Sequence, residues 1–489
     1  MEPETASRWD RLPALLAAAG LYLLAQLLVR STAPGAVELD EAEQLLLGQW
    51  LQGGYSPQPP LYTWLQMAVF EVLGPSVLAL GVLRSLLLFT TFALTYLIAR
   101  NELSDERLAA LAALSLLFVS QISWELQREN THSLLVLTIA AGQFLSLQTL
   151  LRRPTAKSYL VAGVLAGLGL LAKYNYAVFL LAAGLALLTT AQGRALLLNR
   201  RLALAALAAV LVLTPHLLWL QDNVAAVSGS VTGKLDARSD SGPWLAVGRL
   251  AITIFSYLSP LWLVYLVLFP SAYGRLLAAR PVVRTAFPLA TYFAIVLALL
   301  LLVVTVLDAD RFRERWMHPL LFLFPVWFLA HAEPTPRRRR IFRVAAASVA
   351  GLALTAMVFR TWVAPATGRF FRLNVPFDRV AAEIRSTGLP VSTLVAGHYH
   401  LAGTLRLHFP ESRIHAFRED LVIPPPEGRE ALLVWDATRS PEMPAALTDY
   451  VVRHAPTDAA AREDRVRYIE TPYAGVTGGV YRIGLVQLR

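Results

Sequence analysis

The sequence predicts an all-α polytopic membrane protein of about eleven transmembrane helices, followed by a small soluble α/β domain. Of the 489 residues, 56% are hydrophobic and only 16% are charged, a balance typical of membrane proteins. Several apolar runs approach the ~20 residues that cross ~30 Å of hydrocarbon as a helix, and no such run occurs in the last part of the chain. We therefore predict a transmembrane domain over residues 1–364 and a soluble domain over residues 365–489.

The predicted spans are delimited by apolar length and by charged or proline-bearing breaks. They cover residues 12–30, 77–99, 108–124, 132–150, 157–172, 175–191, 201–220, 247–269, 285–307, 317–332 and 341–363. The N-terminus lacks the short apolar region and the cleavage site of a signal peptide, so we expect the first run to remain as a span. An odd number of spans places the two ends on opposite sides of the membrane.

Basic residues cluster in every second loop, which predicts a cytoplasmic N-terminus. These residues are Arg8, Arg11, Arg100, Arg107, Arg152, Arg153, Lys157, Arg194, Arg200, Arg201, Arg275, Arg280, Arg284 and the run 337–340. The topology rule accounts for most of the net charge of +10, so no nucleic-acid partner is expected. The absence of cysteine excludes disulfides, thiolate metal sites and a cysteine nucleophile.

The first outer loop, residues 31–76, is predicted to hold two short helices. Apolar residues recur there at helical spacing, at Leu39, Ala42, Leu45, Leu46 and Trp50. This spacing indicates an amphipathic helix lying on the membrane surface and ending at Gly53-Gly54. Prolines at 57–60 turn the chain, and residues 61–73 form the second helix. Asp40 and Glu41 fall in the first helical turn, where the helix dipole favours carboxylates.

The acidic pair Asp40-Glu41 is the first candidate for chemistry. A carboxylate beside a cavity can act as a general base that takes a proton from a hydroxyl attacking a sugar C1. The alternative is a helix N-terminus carrying acids for capping and solubility. The adjacent Pro-Gln-Pro-Pro-Leu-Tyr turn favours the functional interpretation.

Cations on the outer side form the second candidate, because the topology rule disfavours them there. Lys173 lies between two apolar spans, where a lysine is unfavourable unless it meets an anion such as a lipid phosphate. The other outer cations are Arg311, Arg313, Arg315 and His318. Arginines aimed at a leaving phosphate would stabilise its growing charge. The alternatives are a snorkelling Lys173 and arginines that bind anionic headgroups or are neutralised by nearby acids such as Glu314.

Five short motifs resemble those of the GT-C glycosyltransferases, in the branch of the protein O-mannosyltransferases and the lipid A aminoarabinose transferase. The motifs lie at residues 39–44, 59–65, 124–128, 173–175 and 314–316. They are most similar to bacterial transferases that move galacturonic acid from a polyprenyl phosphate onto lipopolysaccharide core or lipid A. The resemblance implies that Asp40 is the catalytic base, that Glu41 supports it and that Lys173 contacts the donor phosphate.

This sequence departs from the family pattern at the position of the second acidic residue. The resemblance implies an acid before the fourth span, but His132 stands where the mannosyltransferases carry aspartate. Either Glu129 takes that role or His132 replaces it with neutral hydrogen bonding. Alternatively, His132 is an interfacial residue without a catalytic role. Likewise, the alternative for Glu125, Arg128 and Glu129 is a set of ion pairs on a helix surface. The substrate-binding candidates are Glu43, Gln44, Gln58, Tyr62, Arg128 and Tyr174.

The predicted protein is an inner-membrane glycosyltransferase that takes a sugar from a polyprenyl phosphate and glycosylates a lipid or polysaccharide hydroxyl on the periplasmic face. No nucleotide is expected there, and a divalent metal is compatible with the carboxylates but required by no ligand spacing. One rival is a transporter or flippase for a lipid-linked anion, although broken helices and inverted repeats are not evident. The others are a ligase with a pyrophosphate donor and a transferase with a protein Ser or Thr acceptor.

Overall fold

The chain forms two compact units in this computed structural model. The first contains residues Met1–Leu24, Pro57–Tyr62 and Arg84–Ala353, and the second contains Ala25–Ser56, Thr63–Leu83 and Leu354–Arg489. The structure describes residues 10–32, 35–55, 58–235, 242–306, 312–367, 371–417, 421–426, 430–454, 465–473 and 479–488. The second unit thus joins the first outer loop to the C-terminal segment, and a domain boundary at 364/365 stays a prediction.

The α-helices are numbered in chain order. They are α1 (Leu12–Ser31), α2 (Leu39–Leu47), α3 (Leu61–Leu73), α4 (Val77–Leu103), α5 (Glu106–Ser115), α6 (Ser120–Ser123), α7 (Thr131–Arg152), α8 (Ala156–Ala172), α9 (Tyr176–Leu188), α10 (Ala191–Leu197), α11 (Leu202–Leu235), α12 (Pro243–Tyr257), α13 (Leu261–Leu268), α14 (Pro270–Leu277), α15 (Leu289–Val306), α16 (His318–Leu321), α17 (Phe324–Leu329), α18 (Pro336–Val358), α19 (Ala364–Ala366), α20 (Phe377–Ser386), α21 (Tyr399–His408) and α22 (Ala445–His454). The strands are β1 (Thr393–Ala396), β2 (Arg413–Ala416), β3 (Ala431–Asp436), β4 (Arg467–Pro472) and β5 (Val480–Leu488).

Six helical segments among the described residues are long and apolar enough to cross a membrane. They are α1, α4, α7, α11 through Ser230, α15, and α18 continued to Val363. Each overlaps one of the predicted spans. The membrane-protein prediction therefore has direct support in helix length and composition.

The other five predicted spans consist of shorter helices, so the predicted number of eleven is not confirmed. Residues 156–172 and 176–188 form helices of 17 and 13 residues. The span predicted at 108–124 leaves the α-helix at Ser115, and that at 247–269 is interrupted at Pro260. Prolines also stand at the first turns of α16 and α17, within the span predicted at 317–332. A proline lacks the N–H that a continuous helix requires, which explains the breaks within the spans predicted at 247–269 and 317–332.

Small residues bring α8 and α11 close together in the first unit. A Cβ atom at Gly163 would lie 2.1 Å from the carbonyl oxygen of Ala205, and one at Gly167 would lie 2.8 Å from Cβ of Val212. Glycines four residues apart on one helix allow such close backbone approach between membrane helices.

The C-terminal segment contains a five-stranded mixed sheet with the order β2-β1-β3-β5-β4. Strand β1 pairs in parallel with β2 and β3, whereas β5 pairs antiparallel with β3 and β4. The sequence also predicts a helix at residues 377–386 and short apolar runs at 391–396 and 431–435, and α20, β1 and β3 lie at these positions. One side of the sheet packs with Ile384 and Leu405, and the other with Leu447 and Tyr450.

Helix α2 differs from its prediction at its end and on its apolar face. It ends at Leu47, where Gly48 donates a backbone hydrogen bond to Gln44, rather than at Gly53-Gly54. Ala42 and Leu45 pack with Val37 inside the second unit. Close approach of α21 completes the contact, since a Cβ atom at its Gly403 would lie 2.0 Å from the Ala42 carbonyl oxygen. Protein therefore covers the apolar face of α2, and a position of this helix on the membrane surface stays a prediction.

Candidate active site

The acidic residues occupy the start of α2 in the second unit. Glu38 precedes the helix in an extended conformation, with φ −77° and ψ 170°. Asp40 and Glu41 lie in the first turn, and the Glu41 carboxylate accepts a hydrogen bond of 2.9 Å from the Glu38 backbone N–H. Asp40 and Glu43 are half-buried. The start of α2 therefore presents carboxylates at the positive end of the helix dipole, as the sequence predicts.

Glu41 is paired with a residue that the sequence analysis missed. Its side chain is 1% exposed, and its Oε2 atom lies 2.7 Å from Nη2 of Arg30 at the end of α1. Arg30 also donates to the Ala36 carbonyl at 3.2 Å. The Glu41 carboxylate is thus engaged by the Arg30 guanidinium and by the Glu38 backbone N–H. Arg30 is another cation at the predicted outer end of a span. That position is the feature of the sequence that could have identified it.

Glu38 is a second buried carboxylate that sequence reasoning passed over. It is 2% exposed and accepts hydrogen bonds from Arg360 at 2.9 Å and from Arg372 at 3.1 Å. Arg360 lies near the end of the last apolar helical segment and Arg372 follows it, both more than 300 residues further along the chain. No local sequence pattern indicates such a distant pairing.

Gln44 lies inside the protein in this structure. Its side-chain oxygen accepts a hydrogen bond of 2.9 Å from the Thr63 hydroxyl, and its exposed fraction is 0%. A substrate-binding role for Gln44 stays a prediction, and its burial favours support of α2.

The outer cations meet the start of α7 in the first unit. Lys173, which ends α8, is 8% exposed and donates to the Ser133 hydroxyl at 2.6 Å. Arg315 donates to the Asn130 side-chain oxygen at 3.2 Å. Asn130 precedes α7 with φ 62° and ψ 41°, a left-handed conformation in which asparagine is among the better-tolerated residues. Lys173 and Arg315, two of the predicted phosphate-binding residues, thus both donate to side chains at the start of α7.

His318 lies fully buried in α16, in the same unit. Its Nδ1 atom is 3.3 Å from the Tyr257 hydroxyl. Within the described part of the chain, its Nε2 atom has no hydrogen-bond partner. Asn175 ties the Lys173 loop to the Arg315 turn by donating to the Trp316 carbonyl at 2.9 Å. We call Lys173 and Arg315, together with the buried imidazole of His318, the cation cluster.

His132 also lies in the first turn of α7 and is buried. Its Nδ1 atom is 3.3 Å from the Ala172 carbonyl, which can only accept, so this nitrogen is the donor. Its ring packs against buried Tyr62, with 5.5 Å between ring centroids. His132 is therefore held by a hydrogen bond and a ring contact, and Glu129 is a half-buried carboxylate just before Asn130.

The remaining candidates are more dispersed within the first unit. Arg128 lies over the Trp124 ring at 5.1 Å and 3.6 Å from the Glu125 carboxylate, so one pair of the alternative ion-pair set is present. The Tyr174 hydroxyl is 3.2 Å from Nε2 of His216. Arg313 is exposed and Gln58 is half-buried.

Two residues of the loop before α16 remain, the predicted phosphate ligand Arg311 and the acid Glu314. Arg311 lies outside the described residues. Glu314 accepts hydrogen bonds from Gln121 and Ser256, so neutral groups bind a carboxylate that was expected to neutralise an arginine. For metals, no group of three or more His, Asp or Glu residues within the described ranges is arranged to hold an ion.

Comparison with known proteins identifies one matching family and two similar glycosyltransferases. Residues 57–219 match the dolichyl-phosphate-mannose-protein mannosyltransferase family. The lipopolysaccharide core galacturonosyltransferase RgtB of Rhizobium johnstonii is 34% identical over 480 residues, covering 94% of this chain and 93% of the relative. RgtA of the same organism, also a lipopolysaccharide core galacturonosyltransferase, is 32% identical and covers 83% of this chain and 82% of its own length.

Solved structures show the fold. The crystal structure of ArnT from Cupriavidus metallidurans bound to undecaprenyl phosphate matches with a TM-score of 0.61 at 14% identity, covering 97% of each chain. The apo state of the same protein matches with a TM-score of 0.60 at 15% identity. The chain therefore has an ArnT-like fold.

Proposed function

This chain belongs to the family of bacterial lipopolysaccharide core galacturonosyltransferases, glycosyltransferases of the GT-C type, and on that premise we propose its donor, acceptor and mechanism. The donor is a polyprenyl phosphate carrying galacturonic acid. The acceptor is a hydroxyl of a lipid or polysaccharide, as in the names of the relatives. The reaction takes place on the periplasmic face of the inner membrane, with the N-terminus in the cytoplasm, which the alternating basic loops support.

The observation that carries the proposal is the cation cluster. Lys173 donates to Ser133 and Arg315 donates to Asn130, so both basic side chains meet at the start of α7. Among the described residues, Nε2 of buried His318 has no hydrogen-bond partner. A phosphate supplies oxygen acceptors for all three side chains, and charge-assisted hydrogen bonds to it are strong.

The proposed reaction is a single displacement. The Asp40 carboxylate takes the proton of the acceptor hydroxyl while that oxygen attacks C1 of the sugar. The bond between C1 and the phosphate oxygen breaks, and its electron pair stays on the polyprenyl phosphate, which gains negative charge. Lys173 and Arg315 stabilise that charge. Attack opposite the leaving group inverts the configuration at C1.

The supporting roles follow from the contacts within each unit. Glu41 and its Arg30 partner hold the first turn of α2. Glu129 takes the second acidic role, because His132 already donates to a carbonyl. Arg313 is assigned to the phosphate as well. Glu43, Gln58, Tyr62, Arg128 and Tyr174 are assigned to substrate binding.

The first test is Asp40→Asn in the purified full-length protein. With a polyprenyl phosphate galacturonic acid donor and a lipopolysaccharide acceptor, we expect transfer to fall by about 10²–10⁴-fold, the usual contribution of a general base. Asp449→Asn, an exposed position on α22, is the matched control and should transfer at the wild-type rate.

The products decide between this reaction and its rivals. Release of polyprenyl phosphate with an inverted C1 in the product supports the proposal. Movement of intact donor without bond cleavage supports a flippase, and a requirement for pyrophosphate supports a ligase. Near wild-type transfer by Asp40→Asn would show that another group is the base.

A further inference from the structure

We propose that the C-terminal segment holds the loop before α2 in place, and that Glu38 is the central positioning residue for the Asp40 carboxylate. The proposal rests on the proposed function only for the role of Asp40. The side chains involved, called the loop clamp below, are Arg30, Arg360, Arg372, His400 and His408. All belong to the second unit.

The charged part of the loop clamp binds both oxygens of one carboxylate. Arg360 donates to Oε1 of Glu38 and Arg372 donates to Oε2, at 2.9 and 3.1 Å. Arg360 is itself held, because its guanidinium lies 4.9 Å from the centre of the Phe371 ring. Its carbonyl accepts a hydrogen bond from Asn374 at 3.3 Å. Glu38 therefore has little freedom to move, and Asp40 follows two residues later.

The other part of the loop clamp, made of His400, His408 and Arg30, binds three successive backbone carbonyls. Nε2 of His408 lies 2.8 Å from the Gly35 carbonyl, and Nε2 of His400 lies 2.8 Å from the Val37 carbonyl. Arg30 donates to the carbonyl between them, that of Ala36. A carbonyl only accepts, so each histidine nitrogen is the donor. Irregular backbone is usually satisfied by water or by its own neighbours, whereas here two of the three donors come from α21.

Stability alone does not explain this arrangement. A buried ion pair contributes little net stability, because removing both charges from water opposes their attraction. A fixed loop instead lowers the entropy that is lost when a catalytic group is oriented for reaction. Displacing such a group by about 1 Å can lower the reaction rate about 10²-fold. Because the loop clamp fixes every residue from 35 to 38, it sets the direction in which α2 begins and hence the position of Asp40.

The test replaces Glu38 by Gln in the full-length protein. We expect kcat to fall by about 10²-fold while the KM for the donor stays within about twofold, because the cation cluster is unchanged. Hydrogen exchange of the backbone amides in residues 39–42 should become faster. Glu38→Asp keeps the charge and should recover part of kcat. Glu470→Gln, which removes another Arg–Glu pair in the same unit, is the control and should change neither quantity.

A second variant protects the test against misfolding. Arg372 is the more exposed partner, so Arg372→Gln should fold and lower kcat about tenfold, and combining it with Glu38→Gln should add little. Unchanged hydrogen exchange and unchanged kcat in Glu38→Gln would overturn the proposal, as would a lower melting temperature with wild-type kcat. Faster exchange in the variant combined with no transfer by the wild type would support the loop clamp and refute the proposed function.

Discussion

Lys173 illustrates how a single residue reveals a site in a membrane protein. It ends α8, is almost entirely buried and donates to a neutral hydroxyl. A lysine on a flexible stem can reach water when it lies near a membrane surface, but this one is directed to Ser133. The position favours an anion that arrives with the donor.

We predict that Lys173→Gln lowers kcat/KM for the polyprenyl phosphate donor by about 10–150-fold, the value of one charged hydrogen bond of about 1.5–3 kcal/mol. The glutamine keeps polarity but not charge, so the loss reports on phosphate binding. Steady-state transfer by the purified enzyme measures it. Lys157→Gln, at an exposed lysine, should leave kcat/KM unchanged, and an equal loss in both variants would contradict the prediction.

At the residue scale, the sequence indicated the groups but not their partners. Lys173 and Arg315 stood out because outer cations need a reason, and Asp40 stood out beside a proline-rich turn. Glu38 did not, because its value depends on Arg360 and Arg372, which are 322 and 334 residues away. Pairing over that separation leaves no trace in a local pattern.

At the scale of elements, the packing of α21 against α2 is the contact most sensitive to a small change. We predict that Gly403→Ala destabilises the protein by about 1–3 kcal/mol, since the new methyl group would lie 2.0 Å from the Ala42 carbonyl oxygen. Thermal unfolding in detergent measures this change.

The matched control is Gly184→Ala in α9. A Cβ atom at Gly184 meets no atom within 4 Å, so the substitution should be neutral or slightly stabilising. A melting temperature for Gly403→Ala equal to that of Gly184→Ala would refute the close contact.

Element positions were more predictable than element surroundings. Helix α3 occupies the predicted residues 61–73, and α2 begins where the acidic turn was expected. The apolar face of α2 was assigned to the membrane because periodicity shows that a face is apolar and not what covers it. Here α21 covers it, and only the fold brings α21 there.

At the scale of the whole molecule, the half-buried histidines of the loop clamp make stability depend on pH. Burial lowers the pKa of His400 from 6.5 to about 4, although the hydrogen bond to Val37 partly opposes this shift. Burial also lowers the pKa of His408. Between the folded and unfolded values the unfolded chain binds more protons, so stability falls as the pH falls from about 6.5 to about 4.

We predict a melting temperature that decreases across this window, measured by thermal unfolding of the full-length protein in detergent. His400→Gln keeps a donor for the Val37 carbonyl but does not titrate, so the decrease should be smaller. An unchanged slope in His400→Gln would show that the other groups cause it. The alternation of basic loops and apolar runs predicted the membrane class. Apolar length alone did not predict the number of long helices, because five of the runs form shorter helices in the described chain and prolines interrupt only two of those runs.

The loop clamp also links activity to the order of protein synthesis. Residue 38 leaves the ribosome 322 residues before Arg360 does, an interval of about 15–65 s at about 5–20 residues per second. During that time the nascent chain has no Arg360 or Arg372 to bind Glu38. On the proposed role of the loop clamp, transfer begins only after the C-terminal segment has been made and has folded. A chain left unfinished on a stalled ribosome would then lie in the membrane without using the proposed lipid-linked donor.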